Sequence, residues 1–462
     1  MKNSKNQPSL QYLYNTVFNR KSSTEFFALY AFLNPQRFPL AMKESPLFVK
    51  DNFPPRSLAQ VAPRGNITPL LLTEEQRDRY GEWTSDFSQR IGVWNADVFP
   101  ERIVDKNEFF GEDGFHFKRL HELLANRFLG THSLIVNEPF PLSKEDPWSA
   151  FHPSLLKNIP FNTKDWLYSG EFPEELLQEN SVFCFPKTIS VEKESPESIT
   201  VQGKTIPFPI RLKPTDGGSG KGQRVAYCSS DLKNLLDHED YKYGVILCPQ
   251  LHDFTDVSFH GMVPEEGSPV AFPPQIQLTD HHGDWCGAFS YHHSIVSPKI
   301  QSLVEKNQEK ILNTLFKIFQ SHGVTSVFSA DALLHEEKTP VGDVNLRWGG
   351  GSPLDNIITD ISEETVYLLG GLGIFGDLEN RREKLEFLSR FPEIHIAGLS
   401  EGKTFTGASI VTITENRKEL VRFLQKSYER AIRGSFGSIA CFDLATAYLQ
   451  KIPTASATVL TV

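Results

Sequence analysis

The stretch FPIRLKPTDGGSGKGQRVAY at 208–227 holds the densest set of chemistry-bearing residues in the chain. Ile210 and Leu212 alternate with Arg211 and Lys213, the pattern of a half-buried strand that turns both cations away from its core side. Four glycines follow at 217, 218, 220 and 222, with Ser219 and Lys221 between them. Glycine reaches positive φ and lets backbone N–H groups approach an anion closely, and lysine adds charge, so the segment suits phosphate. It is not a GxxxxGK[ST] phosphate loop, because Thr215 and Gly222 stand where that loop needs a glycine and a hydroxyl. An exposed hairpin turn is the plain alternative for the loop taken alone.

A second constellation lies about a hundred residues on. In SADALL, Phe328, Ala330, Ala332 and Leu334 share one strand face, and Ser329 and Asp331 the other. In GDVNLRW the same period sets Val344, Leu346 and Trp348 inward and Asp343, Asn345 and Arg347 opposite. A hairpin turning through HEEKTPVG brings Asp331, Asp343 and Asn345 to one surface. Two carboxylates and an amide oxygen are hard ligands for Mg²⁺, which completes its shell with phosphate and water. Arg347 on that side would meet phosphate or developing negative charge. The competing reading is ordinary charge on a solvated hairpin face. The glycine loop upstream and three glycines downstream favour a site.

The elements needed to hold these residues can be read from pattern. An apolar run at 182–191 predicts a strand, SSDLKNLL at 229–236 a helix capped by its serines, and YGVILCPQL at 243–251 another strand. Apolar residues at 304, 311, 312, 315, 316 and 319 predict a helix over 301–323 that closes on Gly323. Further strands are expected in 256–296, a helix at His121–Phe128, a strand at Ser133–Phe140 and an amphipathic helix near 415–433. At 462 residues the chain has room for about three domains. Its 39% hydrophobic and 23% charged residues are those of a folded globular protein.

A net charge of −10 works against an extended nucleic-acid groove or an anionic membrane surface. Five cysteines without a CxxC pair indicate neither a disulfide framework nor a thiolate zinc site, and fit a reducing compartment. With no signal-like apolar core at the N-terminus and no membrane-length apolar run, the expectation is a cytoplasmic protein. The 35 phenylalanines against 3 methionines are expected to fill the core with rings.

Over roughly 160–355 the sequence resembles the ATP-grasp superfamily, which includes D-alanine–D-alanine ligase, glutathione synthetase and biotin carboxylase. The resemblance is carried by Lys213 followed by the Gly217–Gly222 lid, and by Asp331 followed twelve positions later by Asp343-x-Asn345-x-Arg347. It implies an α/β (α+β) fold in which two α/β lobes clamp ATP. An N-terminal α/β domain would span 1–154, the small lobe 155–255, the large lobe 256–365 and a C-terminal portion 366–462.

By the same resemblance Lys213 and the lid (Gly217, Gly218, Ser219, Gly220, Lys221, Gly222) contact ATP phosphates, and Asp331, Asp343 and Asn345 hold Mg²⁺. Two ions are implied, and Mn²⁺ is an acceptable substitute. Arg347 and Lys213 are the catalytic pair, with Arg347 on the reacting acyl phosphate. ILCPQL looks like the adenine hinge, nominating Gln250, Leu251 and His252, and Asp256 falls where the ribose carboxylate stands. The earlier phosphate lysine is one of Lys157, Lys164 and Lys187, with Lys164 favoured. The metal carboxylates here are both Asp, where the family commonly has Glu.

The implied activity is that of an ADP-forming carboxylate–amine ligase acting on amino acids or short peptides through an acyl phosphate. Its partners would be small-molecule substrates, without nucleic acid or membrane, and a homodimer is allowed. Other acyl-phosphate chemistry, carboxylase or phosphotransferase, and non-catalytic ATP binding are the alternatives. The pairs His281–His282 and His292–His293, expected to point to opposite strand faces, are read as pocket or structural residues. Cys248 and Cys286 are read as small buried hydrophobes. Ser352 and Asp355 are candidates to border the acyl acceptor.

Overall fold

The computed structural model describes residues 26–29, 67–69, 87, 90–92, 110–111, 114–115, 133–136, 167–168, 172–215, 222–241, 244–252, 254–263, 268–281, 283–322, 326–335, 339–346, 350–351, 354–355, 365–401 and 405–452. Near the N-terminus, Ile67–Pro69, Phe26–Leu29 and Ser133–Val136 form a parallel three-stranded sheet in that order. Ser133–Val136 begins where a strand was expected; the helix expected at 121–128 lies outside the described residues.

The next unit holds seven strands and a helix. β1 (Val182–Cys184) is followed by β2 (Val191–Glu194), β3 (Ser198–Val201) and β4 (Lys204–Pro207), then β5 (Ile210–Pro214), β6 (Arg224–Ala226), α1 (Ser229–Leu236) and β7 (Val245–Pro249). β6-β5-β7-β1 form an antiparallel sheet and β2-β3-β4 a second. The single strand expected over 182–191 is broken, because Pro186 opens a short 3-10 turn, Pro186–Thr188, and supplies no N–H to a ladder. α1 forms over the expected residues, but Cys228 occupies its N-cap without a side-chain bond. The serines lie inside the first turn, and Asp231 accepts from Tyr227 N at 3.1 Å. Ile210, Leu212, Leu232, Tyr241 and Leu247 are fully buried together, which fixes the core side of β5 and leaves Arg211 and Lys213 on the other.

A nine-stranded antiparallel sheet dominates the rest. Its strands are β8 (Thr255–Val263), β9 (Val270–Ala271), β10 (Gln275–Thr279), β11 (Trp285–Ser290), β12 (Ser326–Leu334), β13 (Val341–Asn345), β14 (Val366–Phe375), β15 (Ile394–Glu401) and β16 (Phe405–Thr414). Their order is β13-β12-β8-β10-β11-β14-β16-β15, with β9 paired to β8. The long helix α2 (Pro298–Ser321) covers one face: Ser297 caps it and His322 closes it on Ile318 O, ahead of the expected Gly323. Phe316 and Phe319 pack edge-on against Phe328, so the phenylalanine surplus does fill this core.

α3 (Leu378–Ser389) lies between β14 and β15. The amphipathic segment near 415–433 is helical as α4 (Arg417–Arg422), but continues as a π-helix over Phe423–Ile432. Arg433–Phe436 and α5 (Ala440–Lys451) complete the chain described. The glycine-rich stretch YLLGGLGIFG, 367–376, belongs to β14 up to Phe375. Gly370 is glycine there because α5 presses on it, and a Cβ at 370 would stand 2.1 Å from Cys441 Sγ. Gly370→Ala is therefore expected to lower the unfolding free energy by about 1–3 kcal/mol through overpacking. Gly434→Ala, with open space around its Cβ position, is expected to cost nothing in the same thermal melts.

Candidate functional site

Lys213 is the outward residue of β5, paired across the ladder with Ile246 of β7. Its Nζ lies 3.4 Å from where a Cβ on Gly342 would stand, so the small sheet's lysine reaches the β12–β13 hairpin of the large sheet. That hairpin is the expected one, with Asp331 opposite Asp343 and Ser329 opposite Asn345. Asp331 and Ala332 pair with Asp343 and Val341, which leaves Gly342 as the extra residue of a bulge. The inward set is buried as expected at Ala330, Ala332, Leu334, Val344 and Leu346. Directly opposite residues share a sheet face, so Asp331, Asp343 and Asn345 lie together on the side away from α2.

The neighbouring strand β8 extends this polar face. Ser258 is opposite Asp331, and its Oγ donates to Asp331 Oδ1 at 2.7 Å. Gln277 Nε2 of β10 donates to the same oxygen at 2.6 Å. Burial first, and then the Asp343 charge, push the Asp331 carboxyl above its ordinary range, against these two bonds. Asp256, two residues before Ser258, is raised to about 7 by burial and then by Asp331, with Lys213 and Arg211 opposing. Its Oδ1 is buried without a hydrogen-bond partner among the described residues.

Arg211 accompanies Lys213 on β5. Its Nε donates to Gln250 Oε1 at 2.7 Å and its Nη1 to Gln223 Oε1 at 2.8 Å. A Cβ on Gly283 would stand 3.1 Å from Nη1, so Arg211 touches the end of the hinge segment, the exit of the glycine loop and the β10–β11 turn. Gln250 is held further by its N–H on Pro209 O and its Nε2 on Leu251 O, and Gln178 donates to Pro249 O. Leu251 is half-buried and His252 exposed beyond it. Gly222, at φ +75°, ends the glycine loop, and its carbonyl accepts from Tyr241 Oη at 2.9 Å. Gly217, Gly218, Ser219, Gly220, Lys221, Lys157, Lys164 and Arg347 lie outside the described residues. Lys187 is exposed in the turn after β1.

Other residues singled out from the sequence take structural places. His292 accepts from Ser294 N to cap a 3-10 turn rather than sitting on a strand. Cys248 is buried, its Sγ on Arg211 O, and its thiol is raised by that burial. Asp355 is turned inward onto His260 and Gln275. Ser352 and His282 lie outside the described residues. Arg211, Ser258, His260, Gln275 and Gln277 were not expected at the site. Their signal was in the sequence: TDVSFH and QIQL both alternate polar and apolar, with the polar members on one face.

Among the described residues no three His, Cys, Asp or Glu side chains group into a metal cage. The hairpin offers two carboxylates and an amide, one carboxylate raised by burial and then by the other, and beside them stands an Asp256 oxygen that has no hydrogen-bond partner among the described residues. That donor set fits a hard cation whose remaining ligands are phosphate and water, and a polar group from a bound molecule at Asp256. No helix among the described residues is long and apolar enough to cross a membrane.

No protein-family model matches the chain and no curated protein matches it. Solved structures do. A variant of Rhizobium etli pyruvate carboxylase, determined with the allosteric activator acetyl coenzyme-A, aligns with 88% of this chain and 37% of its own at a TM-score of 0.52 and 9% identity. The chain has the ATP-grasp fold. L-amino acid ligase from Bacillus licheniformis aligns with 89% of this chain and 98% of its own, at a TM-score of 0.49 and 12% identity. Biotin carboxylase from Campylobacter jejuni, in a complex with an ATP analogue, aligns with 92% and 95% at 0.48 and 9%.

The cation closest in effect to Asp256 can be tested directly. Lys213→Met removes the leading charge that holds Asp256 down, so the Asp256 carboxyl should titrate above about 7. Carboxyl carbon-13 NMR reads that shift, and an unchanged midpoint would separate Lys213 from the acidic face.

Proposed function

We propose that this ATP-grasp chain is an ADP-forming ligase that joins a carboxylate to an amine through an acyl phosphate. The observation that carries the reading is the approach of Lys213 Nζ, from one sheet, to the bulge that aims Asp343 beside Asp331 on another. A cation facing paired carboxylates across a cleft is the arrangement needed to hold a metal–triphosphate from both sides.

In this reading Lys213 neutralises phosphate oxygens from the small-sheet side, and Lys164 and the Gly217–Gly222 lid add contacts there. Asp331, Asp343 and Asn345 hold Mg²⁺, with two ions and Mn²⁺ as a substitute. When bound, the metal screens the triphosphate for in-line transfer to a carboxylate. Arg347, next in the polar alternation after Asn345, stabilises the acyl phosphate while the amine attacks and phosphate leaves. Gln250 and Leu251 border the base and Asp256 accepts from the ribose, which would satisfy its orphaned Oδ1. The lid excludes water from the activated acyl group. Amino acids or short peptides are the proposed substrates.

A screen of paired carboxylates and amines, reading ADP and product mass together, should find a pair that yields ADP and a condensed product in equal amounts. Asp343→Ala and Asn345→Ala should each abolish Mg²⁺-dependent ADP formation in a folded protein. Arg347→Ala should keep ATP binding and lose turnover. Near-normal activity in the first two variants would remove the metal assignment, and ATP binding without turnover on every pair would favour a non-catalytic role.

A further inference from the structure

Behind Asp331 a run of polar side chains leads away from the cleft into the sheet. Ser258 Oγ lies 2.7 Å from Asp331 Oδ1, and His260 Nε2 lies 2.8 Å from Ser258 Oγ. His260 Nδ1 lies 2.5 Å from Asp355 Oδ2, and Gln275 Nε2 donates at 2.9 Å to both Asp355 Oδ1 and Gly351 O. Ser258, His260, Gln275 and Asp355 are 2%, 4%, 1% and 5% exposed, too deep to meet a substrate themselves. The serine has one proton. With that proton on an ionised Asp331, Ser258 Oγ accepts from His260 Nε2–H, and Nδ1–H faces Asp355. Each hydrogen bond in the run then has one direction.

Two further observations give the run a purpose. Both bonds that reach Asp331, from Ser258 and Gln277, fall on Oδ1, and among the described residues none falls on Oδ2. The chain just past the Asp343–Arg347 segment also packs flush against the run. A Cβ on Gly351 would stand 2.3 Å from Gln275 Oε1 and 3.0 Å from His260 Cε1.

We infer that Ser258, backed by His260 and Asp355, is a positioning residue for the metal: with Gln277 it loads Asp331 Oδ1 and leaves Oδ2 as the oxygen presented to the cation. This rests on the reading of Asp331 as a metal ligand. Ligating carboxylates that are oriented by hydrogen bonds from behind bind more tightly, because the geometry is set before the cation arrives. The run also ties Asp331 to residue 355, twenty-four positions on in sequence, so a change at Asp355 is transmitted to a carboxylate it does not touch.

The test uses the full chain with Mn²⁺ as probe, titrated in saturating ADP and followed by the electron paramagnetic resonance of free Mn²⁺. Metal-free ADP binding is measured by calorimetry, and thermal melts check the fold. Ser258→Ala should raise the Mn²⁺ dissociation constant about 10–100-fold and leave metal-free ADP binding unchanged. Asp355→Asn should move the Mn²⁺ constant in the same direction by less, and Ser258→Thr, which keeps the hydroxyl, should recover most of the loss. A network that only packs the sheet would lower the melting temperature and leave the ratio of the two constants alone. If Asp331→Ala abolishes Mn²⁺ binding while Ser258→Ala and Asp355→Asn leave it unchanged, the positioning role is overturned. Should Asp355→Asn not fold, Ser258→Ala decides alone. If the native chain shows no change of Mn²⁺ signal attributable to this site, or if Asp331→Ala binds Mn²⁺ as tightly as the native chain, the metal reading itself fails.

Discussion

The arrangement turns on negative charge gathered on one face of the large sheet. Asp256, Asp331 and Asp343 share one face of the large sheet, and burial and mutual repulsion raise the first two. Bringing like charges together away from water is costly unless a cation joins them or protons neutralise them. Lys213 supplies one positive charge from the opposite sheet and Arg211 a second, already engaged with Gln250 and Gln223. Lys213 and the paired carboxylates thus face one another from two different sheets.

The fold is arranged to hold that charge. α2 and its phenylalanine cluster bury the apolar side of β8 and β12, so the alternation of those strands forces their polar residues to the cleft. On the other wall, Leu232, Tyr241 and Leu247 bury Ile210 and Leu212, which turns Lys213 outward. One-residue slips in either strand would exchange the two sets, so the same apolar packing that stabilises each sheet also sets the register of the site. The bulge at Gly342 adds a local correction that lets Asp343 face Asp331 with the lysine alongside.

How much of this was legible depended on sequence distance. The hairpin could be read because its alternation and turn lie within about twenty residues, and the face of Lys213 because β5 alternates cleanly. One element failed where chemistry cut across pattern: Pro186 ended a strand that hydrophobicity alone continued. The contacts of Ser258 and Gln277 with Asp331 span 73 and 54 residues, and only the strand order β12-β8-β10 joins them. Alternation announced a polar face on β8 and β10, but not which strands would lie beside it. The same limit hid Arg211, whose partners Gln250 and Gln223 come from β7's end and the far side of the glycine loop.

The most direct test is nucleotide-dependent metal binding at the acidic face. Carboxylates bind a cation in their deprotonated form, so removing one from the face removes a ligand. Mg²⁺ is titrated by calorimetry at pH 7 into the chain saturated with a non-hydrolysable ATP analogue, with the protein-free analogue subtracted. The expected result is metal binding that is lost in Asp331→Ala and in Asp343→Ala while both variants keep the native melting curve. Metal binding of native strength in both variants would contradict it.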